Sequence, residues 1–365
     1  MPFYTALAHE RDPERKKRTA EGLLELKTAL ADPAAGVPNH ALDDRALIAT
    51  WNIREFDSSK GGDRGIEPML YMAEIISAFD VVAVQEIRED LGPLTQLLRY
   101  LGDWWHVLVT DVTRGKGGNF ERLAFLYDTR KVRFSGLVGE VVRPRGTEDV
   151  AGEFVEQFAR TPFLVGFQVG WLKFTICTAH ILYGTSNAAN PQRIKEIGWL
   201  ARMLADQHLE QHAWSENIVL LGDFNIFEVG DATAQAIRDA GFILPPELTQ
   251  KPSNLTQTKH YDQIAFFQPK RPNMPPPLTL TSAGVFQWQN VVYRSNQAND
   301  YEKDRLASGS NMAFPTWRTY QMSDHDPMWV ELATDRSRQY LEEFAAGKPE
   351  EIPSPAPAIP VEHVG

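Results

Sequence analysis

"NIVLLGDFN" spans residues 217–225. The aliphatic run Ile218, Val219, Leu220, Leu221 reads as a buried strand. It stops abruptly at Gly222, Asp223, Phe224 and Asn225, an acid and an amide separated by one residue. Turn chemistry alone would account for that ending, because Asp and Asn side chains hydrogen-bond nearby backbone. What decides the matter is whether other strands carry polar groups to their ends in the same way.

They do. "ATWNIREF" ends an apolar run at Asn52, "DVVAVQEIRED" at Glu86 and "FTICTAHILYG" at His180. "KHYDQIAFF" begins one with Asp262, and "QMSDHDPMWVEL" begins one with Asp324, His325 and Asp326. Each has a plainer explanation when taken alone: a turn for Asn52, a helix cap for Glu86, a satisfied core histidine for His180, a turn before Pro327 for "SDHDP". Those explanations share no chemistry. Together the residues supply what metal-assisted phosphoryl hydrolysis needs. Oxygen ligands hold a hard cation such as Mg²⁺. A carboxylate orients or deprotonates water, and imidazoles sit against the phosphate. A carboxylate at the rim of a core is costly unless it is paired, hydrogen-bonded or bound to a cation.

The rest of the chain frames this reading. Its 365 residues, 43% hydrophobic and 23% charged, suffice for one large or two ordinary domains. Strand-like runs at "LIATWN", "VVAVQE", "RLAFLYD", "FLVGFQV", "KFTICTAH", "DQIAFF" and "PMWVEL" outnumber helical patterns. Helices are predicted over "EPMLYMAEIISAF", "LTQLLRYLG", "PQRIKEIGWLARMLADQHLE" with Pro191 in its first turn, and "DATAQAIRDAGF" closed by Gly241. Two sheets packed together with helices outside would bury the near-continuous apolar runs. Residues 1–45 are read as an N-terminal helical extension, with a helix over 10–31 whose apolar face is Leu23, Leu24, Leu26 and Leu30. The main domain is placed at 46–333. Residues 334–365 are read as helical and then Pro-rich, disordered or available to a protein partner.

No apolar run is long enough to span a bilayer, and no secretory h-region stands at the start. The single cysteine, Cys177, cannot form an internal disulfide. A cytoplasmic location and no membrane partner are the expectations. The net charge of −11 argues against a general nucleic-acid coating protein but not against an enzyme acting on phosphodiesters. A metal and a few arginines can supply local positive potential.

In motif order, from "TWNI" through "VQEIRED", "FERLAFLYD", "FARTPF", "CTAH", "GDFN" and "YDQI" to "SDHDPMWVEL", the chain resembles the endonuclease/exonuclease/phosphatase superfamily, and within it the deoxyribonuclease I-like members. The resemblance covers roughly residues 46–333. It implies an α/β four-layer sandwich: two mostly antiparallel β-sheets with helices on the outer faces and the site at the strand-end rim. It implies that residues 46–333 form a catalytic domain needing Mg²⁺, with Mn²⁺ as a substitute, and acting on nucleic acid, DNA first. Another phosphoester substrate (RNA, an inositol phosphate or a phospholipid headgroup) is the alternative. Glu86 matches the principal metal ligand, with Asn52 beside it and Asp324 as a second ligand. Asp223 matches the acid acting on the attacking water, and Asn225 the amide holding that water or a phosphate oxygen. Glu121–His180 and Asp262–His325 match two acid–imidazole pairs flanking the phosphate. Arg88 and Arg160 match substrate contacts, a salt bridge to Glu89 or Asp90 being the plainer role for Arg88. A tyrosine expected before "ER" is replaced by Asn119 and Phe120. The long segment at 269–320 departs from the pattern and is expected to lie near the site.

Overall fold

In one sheet, β1 (Arg45–Phe56), β2 (Val81–Ile87), β3 (Trp105–Val109), β4 (Arg122–Asp128), β11 (Leu280–Val285) and β12 (Met328–Ala333) lie in the order β11-β12-β1-β2-β4-β3. In the other, β5 (Arg133–Glu140), β6 (Phe163–Val169), β7 (Leu172–His180), β8 (Ile218–Asp223), β9 (Phe242–Ile243) and β10 (Asp262–Phe267) lie in the order β5-β6-β7-β8-β10-β9. Each sheet is antiparallel except for one central pair, β1–β2 in the first and β7–β8 in the second. The computed structural model describes residues 2–41, 43–56, 60, 62–114, 117–143, 157–208, 217–267, 278–335 and 337–345. The Pro-rich stretch at 269–277, Gly115, Lys116 and the tail at 346–365 lie outside the described residues.

Strand alternation decides what meets between the sheets. Ala46 and Ile48 on β1, Val81 and Ala83 on β2, Phe174 and Ile176 on β7, Val219 and Leu221 on β8, and Ile264 and Phe266 on β10 pack in one buried inter-sheet core. The intervening residues, such as Leu47, Trp51 and Val82, face an outer core shared with α1 (Pro13–Leu30), α2 (Ile66–Ile76), α3 (Gly92–Leu101) and α7 (Phe314–Gln321). On the far side, Cys177 and Leu220 face α4 (Pro191–His208) and α5 (Ala232–Asp239). The expected four-layer sandwich is the observed fold.

The helix starts have local causes. Asp12 caps α1 by accepting from Glu14 N at 3.0 Å and Arg15 N at 3.3 Å, with Pro13 first in the helix. The helix therefore begins later than residue 10. Leu23, Leu26 and Leu30 are buried, whereas Leu24, expected on the same face, is 64% exposed. It stands one residue round from Leu23, a rotation of about 100°. Asn190 caps α4 through Gln192 N at 3.0 Å and Arg193 N at 3.1 Å. Gly241 follows α5 with φ 93°, as a helix-ending glycine should.

The described part of the 269–320 segment is folded. It supplies β11, α6 (Glu302–Ala307) and α7. Asp304 on α6 accepts from Arg15 and Arg18 of α1, which places α6 on the outer layer rather than beside the site. Two other parts of the segment approach the rim: Trp288 donates to the His325 carbonyl at 3.0 Å, and Thr319 accepts from Arg54 at 2.6 Å. The expectation that the segment lies near the site holds for Trp288 and for its end, and is corrected for α6. A last helix, α8 (Ser337–Ala345), follows β12. No helix among the described residues is long and apolar enough to cross a membrane.

Candidate active site

The same alternation that builds the inter-sheet core delivers the polar residues. Asn52 continues the row Ala46, Ile48, Thr50; His180 continues Phe174, Ile176, Thr178; Asp223 continues Val219, Leu221; Asp262 precedes Ile264 and Phe266. All four emerge at one end of the gap between the sheets. Glu86 is the exception, since by parity it should face the helices with Val82 and Val84. Its φ of 63° breaks the alternation, and the β2–β4 register shifts between Val84 and Ile87. A bulge re-aims a side chain in this way. Left-handed backbone at a non-glycine residue costs on the order of 1–3 kcal/mol, a strain that concentrates at functional sites.

Asp223 Oδ2 is the focus of the cluster. It accepts from Asn52 Nδ2 at 3.0 Å, lies 3.5 Å from His180 Nε2 and 3.8 Å from His325 Nε2. Each imidazole is backed by an acid. His325 Nδ1 is 2.6 Å from Asp262 Oδ2, a direct hydrogen bond. His180 Nδ1 is 3.0 Å from Glu121 Oε2, a close contact that lacks hydrogen-bond geometry. Asn225, with φ 52°, donates its backbone N–H to Asp223 Oδ1 at 2.9 Å and its side-chain Nδ2 to the Ile181 carbonyl at 2.8 Å. It locks the acid to the end of β7.

Gly222 makes this arrangement possible. Its φ is 132°, and a Cβ there would lie 2.0 Å from the Ala179 carbonyl oxygen. The parallel strands β7 and β8 come too close at this point for any side chain.

The charges are strongly organised. Burial opposes protonation of His325, but Asp262 and Asp223 outweigh it and raise its pKa well above 6.5. Burial also raises Asp262, yet two carboxylates facing one ring leave the positive charge on the ring. For Asp223, burial pushes upward, while His325 and His180 bring the pKa below 3.8. Glu121 is likewise raised by burial but brought down to about 2 by His180 and Arg160.

For a hard divalent cation, Glu86 and Asn52 are the residues that fit. Glu86 accepts from Asn52 Nδ2 at 2.9 Å and from Glu55 N at 2.8 Å, and remains partly exposed. Asn52 Oδ1 is buried without a hydrogen-bond partner. A fully buried amide oxygen left unpaired beside a carboxylate is a donor set suited to Mg²⁺ or Mn²⁺. Glu86, Glu121 and His180 also offer ligand atoms within 4.8 Å of one another. Glu121, however, is already engaged by His180 and Arg160.

Two expected site residues are engaged by other protein groups. Asp324 is 41% exposed at its side chain and pairs with Arg54 at 3.3 Å. Arg160 is buried, its guanidinium bound to Glu121 rather than presented at the rim. Arg88 is closer to expectation: partly buried at the mouth, it lies 3.3 Å from Glu55 and donates to the Asn119 carbonyl. The salt bridge considered for it with Glu89 or Asp90 is not the one formed, as Glu89 pairs with Arg114 at 3.1 Å.

Supporting residues went unrecognised. Gln85 Nε2 donates to Thr50 and Thr178, both at 3.0 Å, and ties the sheets together beneath the cluster. Ser323 Oγ donates to the Asn52 carbonyl at 2.5 Å and accepts from His325 N at 2.9 Å. Ser253 Oγ accepts from Asp262 N at 2.9 Å. Trp51 and Trp288 both donate to the His325 carbonyl at 3.0 Å. Gln85 and Ser323 stand inside the "QE" and "SDH" motifs; Ser253 lies in an irregular loop with no pattern to mark it.

No family model matches the chain. In sequence it is similar to deoxyribonuclease-1 of Canis lupus familiaris, 29% identical over 189 residues, covering 49% of this chain and 59% of that protein. It is 28% identical to deoxyribonuclease-1 of Homo sapiens over 187 residues, covering 49% and 60%. The chain thus spans about three-fifths of the length of these curated relatives. Among solved structures, an endonuclease/exonuclease/phosphatase family protein from Bacteroides thetaiotaomicron superposes with TM-score 0.54 at 17% identity, over 80% of this chain and 96% of that one. The mannosyl-6-phosphatase Bt3783 of the same organism gives 0.51 at 15% identity, over 79% and 99%. The human Nocturnin catalytic domain gives 0.51 at 14% identity, over 80% and 95%. At these identities the structures speak for the fold. In motif order and sequence the chain is similar to deoxyribonuclease I, and its fold is that of the endonuclease/exonuclease/phosphatase structures.

Proposed function

We propose that the chain is a metal-dependent phosphodiester hydrolase acting on nucleic acid, with DNA as the substrate. The observation that carries this reading is Asp223 Oδ2 set between two imidazoles, each backed by its own carboxylate. Glu86 and Asn52 would hold Mg²⁺ or Mn²⁺, which when bound supplies positive charge to a phosphate oxygen. Asp223, kept ionised, takes the proton of the attacking water. Asn225, its Nδ2 already given to Ile181, leaves its carbonyl oxygen to position that water. His325, kept cationic by Asp262, hydrogen-bonds the phosphate and stabilises the charge that develops on it. His180 stands on the other side, oriented by Glu121 and Arg160, and is placed to protonate the leaving oxygen. Arg88 contacts the polymer away from the bond that breaks.

A second reading keeps the same chemistry on a different phosphoester. It is favoured by the likeness in fold to a mannosyl-6-phosphatase, since a fold does not decide a substrate. The deciding experiment incubates the full chain with plasmid DNA, single-stranded DNA, RNA and a sugar phosphate, each with Mg²⁺, Mn²⁺ or EDTA. Metal-dependent cleavage of DNA is expected. Turnover of the sugar phosphate alone would establish the second reading instead.

A further inference from the structure

A file of aromatic rings leads outward from His325. The Tyr261 ring centroid lies 5.7 Å from that of His325, Phe227 lies 5.7 Å from Tyr261, and Tyr183 lies 5.9 Å from Phe227. Phe227 is buried, but Tyr183 at the end of the file is 42% exposed. A single exposed aromatic is ordinary; its support here is not. Arg193, with no exposed surface, donates to the carbonyls of Leu182, Tyr183, Thr185 and Asn187. Its guanidinium carbon lies 5.4 Å from the Tyr183 ring centroid and 4.9 Å from that of Phe227. The loop that carries Tyr183 is therefore clamped from below. Carbonyls satisfy the guanidinium's donors but add no formal negative charge. The Lys259 ammonium stands 4.7 Å from the Phe227 ring centroid and adds a second cation. Two cations thus lie against an aromatic file that runs from Tyr183 to the phosphate-facing imidazole, with Asp223, Asp231 and Asp324 as the nearby carboxylates.

We infer that Tyr183, carried on Phe227 and Tyr261, is a stacking platform for a nucleobase flanking the scissile phosphate, and that the substrate is single-stranded nucleic acid or a locally opened duplex. The inference rests on the nucleic-acid reading of the site and adds the strandedness to it. The chemistry is specific in kind. A base offers a π-face to Tyr183, and the adjoining phosphate meets Lys259, the combination that binds single strands without regard to sequence. In a closed duplex both faces of a base are covered by its neighbours, so the platform is usable only when the base leaves the stack.

The test uses the full chain with three probes: a single-stranded oligonucleotide, a set of the same strands carrying one abasic tetrahydrofuran residue at successive positions, and the fully paired duplex. Affinity is read by fluorescence anisotropy in the Asp223→Asn background, and cleavage is read separately with Asp223 intact. Without any change at Tyr183, one abasic position is expected to weaken binding about 5- to 150-fold, the range for loss of one stacked base. Tyr183→Leu should weaken the base-bearing strand to a similar degree and leave that abasic strand unaffected. Tyr183→Phe, which keeps the ring, should bind like the parent. An abasic scan with no sensitive position would overturn the platform whatever the folding of the variants. So would equal losses from Leu and Phe, or tighter binding of the closed duplex than of the single strand. The nuclease reading fails separately, if no strand is cleaved with Mg²⁺ or Mn²⁺ although the pattern of binding is as expected.

Discussion

At the scale of single residues, the site works by opposing charges in a confined space. His325 keeps its proton well above pH 6.5, and Asp223 loses its proton below pH 3.8. The pH dependence follows with a definite sign. The His325 contribution to stability is complete below the unfolded value of 6.5 and is lost as pH rises through the raised folded value. That of Asp223 is complete above 3.8 and is lost as pH falls through the lowered one. The alkaline limb that His325 contributes to turnover should therefore be displaced well above the ordinary histidine range. His325→Gln should abolish that limb in a pH–rate profile; a limb near 6.5 that disappears in His325→Gln would contradict the double carboxylate hold on the ring. Asp223→Asn, near-isosteric but unable to accept a proton, should lower kcat by about 10²–10⁴-fold with the circular dichroism spectrum unchanged. Glu86→Gln addresses the cation. It keeps the packing but removes the charge, so the Mg²⁺ concentration needed for half-maximal activity should rise at least about tenfold. Half-activity at the parental Mg²⁺ level would place the metal elsewhere.

At the scale of elements, the question is why a buried strand should end in an acid. β8 ends in Asp223 because period-two alternation continues the inter-sheet row Val219, Leu221 one step past the apolar core. The same parity made His180, Asn52 and Asp262 legible in the sequence, the first two continuing inward rows past Thr178 and Thr50 and the third standing two residues before Ile264. What could not be read was wherever the backbone departs from period two. Glu86 was identified by its motif, yet its approach to Asn52 depends on a left-handed φ that no pattern announces. Arg160 and Asp324 were legible as residue types but not as partners, because their pairing with Glu121 and Arg54 is settled by side-chain geometry across distant segments. Short edge strands such as β3 and β9 were missed because edge residues alternate weakly in burial. Gly222 gives the element-level test. Gly222→Ala forces a Cβ against the Ala179 carbonyl and a side chain into φ 132°. Strain and overpacking together should cost roughly 2–4 kcal/mol and displace Asp223. Urea denaturation should show the loss, and kcat should fall even where the variant remains folded. A Gly222→Ala chain with parental Cm and kcat would mean that β7 and β8 can separate without disturbing the site.

At the scale of the whole molecule, the helical N-terminal segment is bound into the outer layer of the first sheet at one polar junction. Glu67 on α2 is 4% exposed and accepts from Arg18 Nη2 at 2.6 Å, Tyr71 at 3.0 Å and Tyr301 at 2.9 Å. Arg18 also reaches Asp304 on α6 at 2.7 Å and lies 4.1 Å from the Tyr301 ring centroid. One guanidinium thus joins α1, α2 and α6, while Leu23, Leu26 and Leu30 fill the apolar contact beneath it. A buried ion pair adds little over a well-packed apolar replacement, but removing one partner strands the other at a cost of about 3–5 kcal/mol. Arg18 is partly exposed, so Arg18→Ala should fall at the lower end, about 3 kcal/mol, read as a drop in Cm. Arg18→Met with Glu67→Gln, which leaves no stranded charge and keeps a partner for both tyrosines, should recover much of the loss. The reacting cluster lies in the gap on the other face of this sheet, so kcat at saturating substrate should stay within about twofold in both variants wherever they are folded. A parallel fall in kcat and Cm would show that this outer layer does more than stabilise: through β1, whose Trp51 faces the α1–α2 core and donates to the His325 carbonyl, it would be setting the position of the imidazole itself.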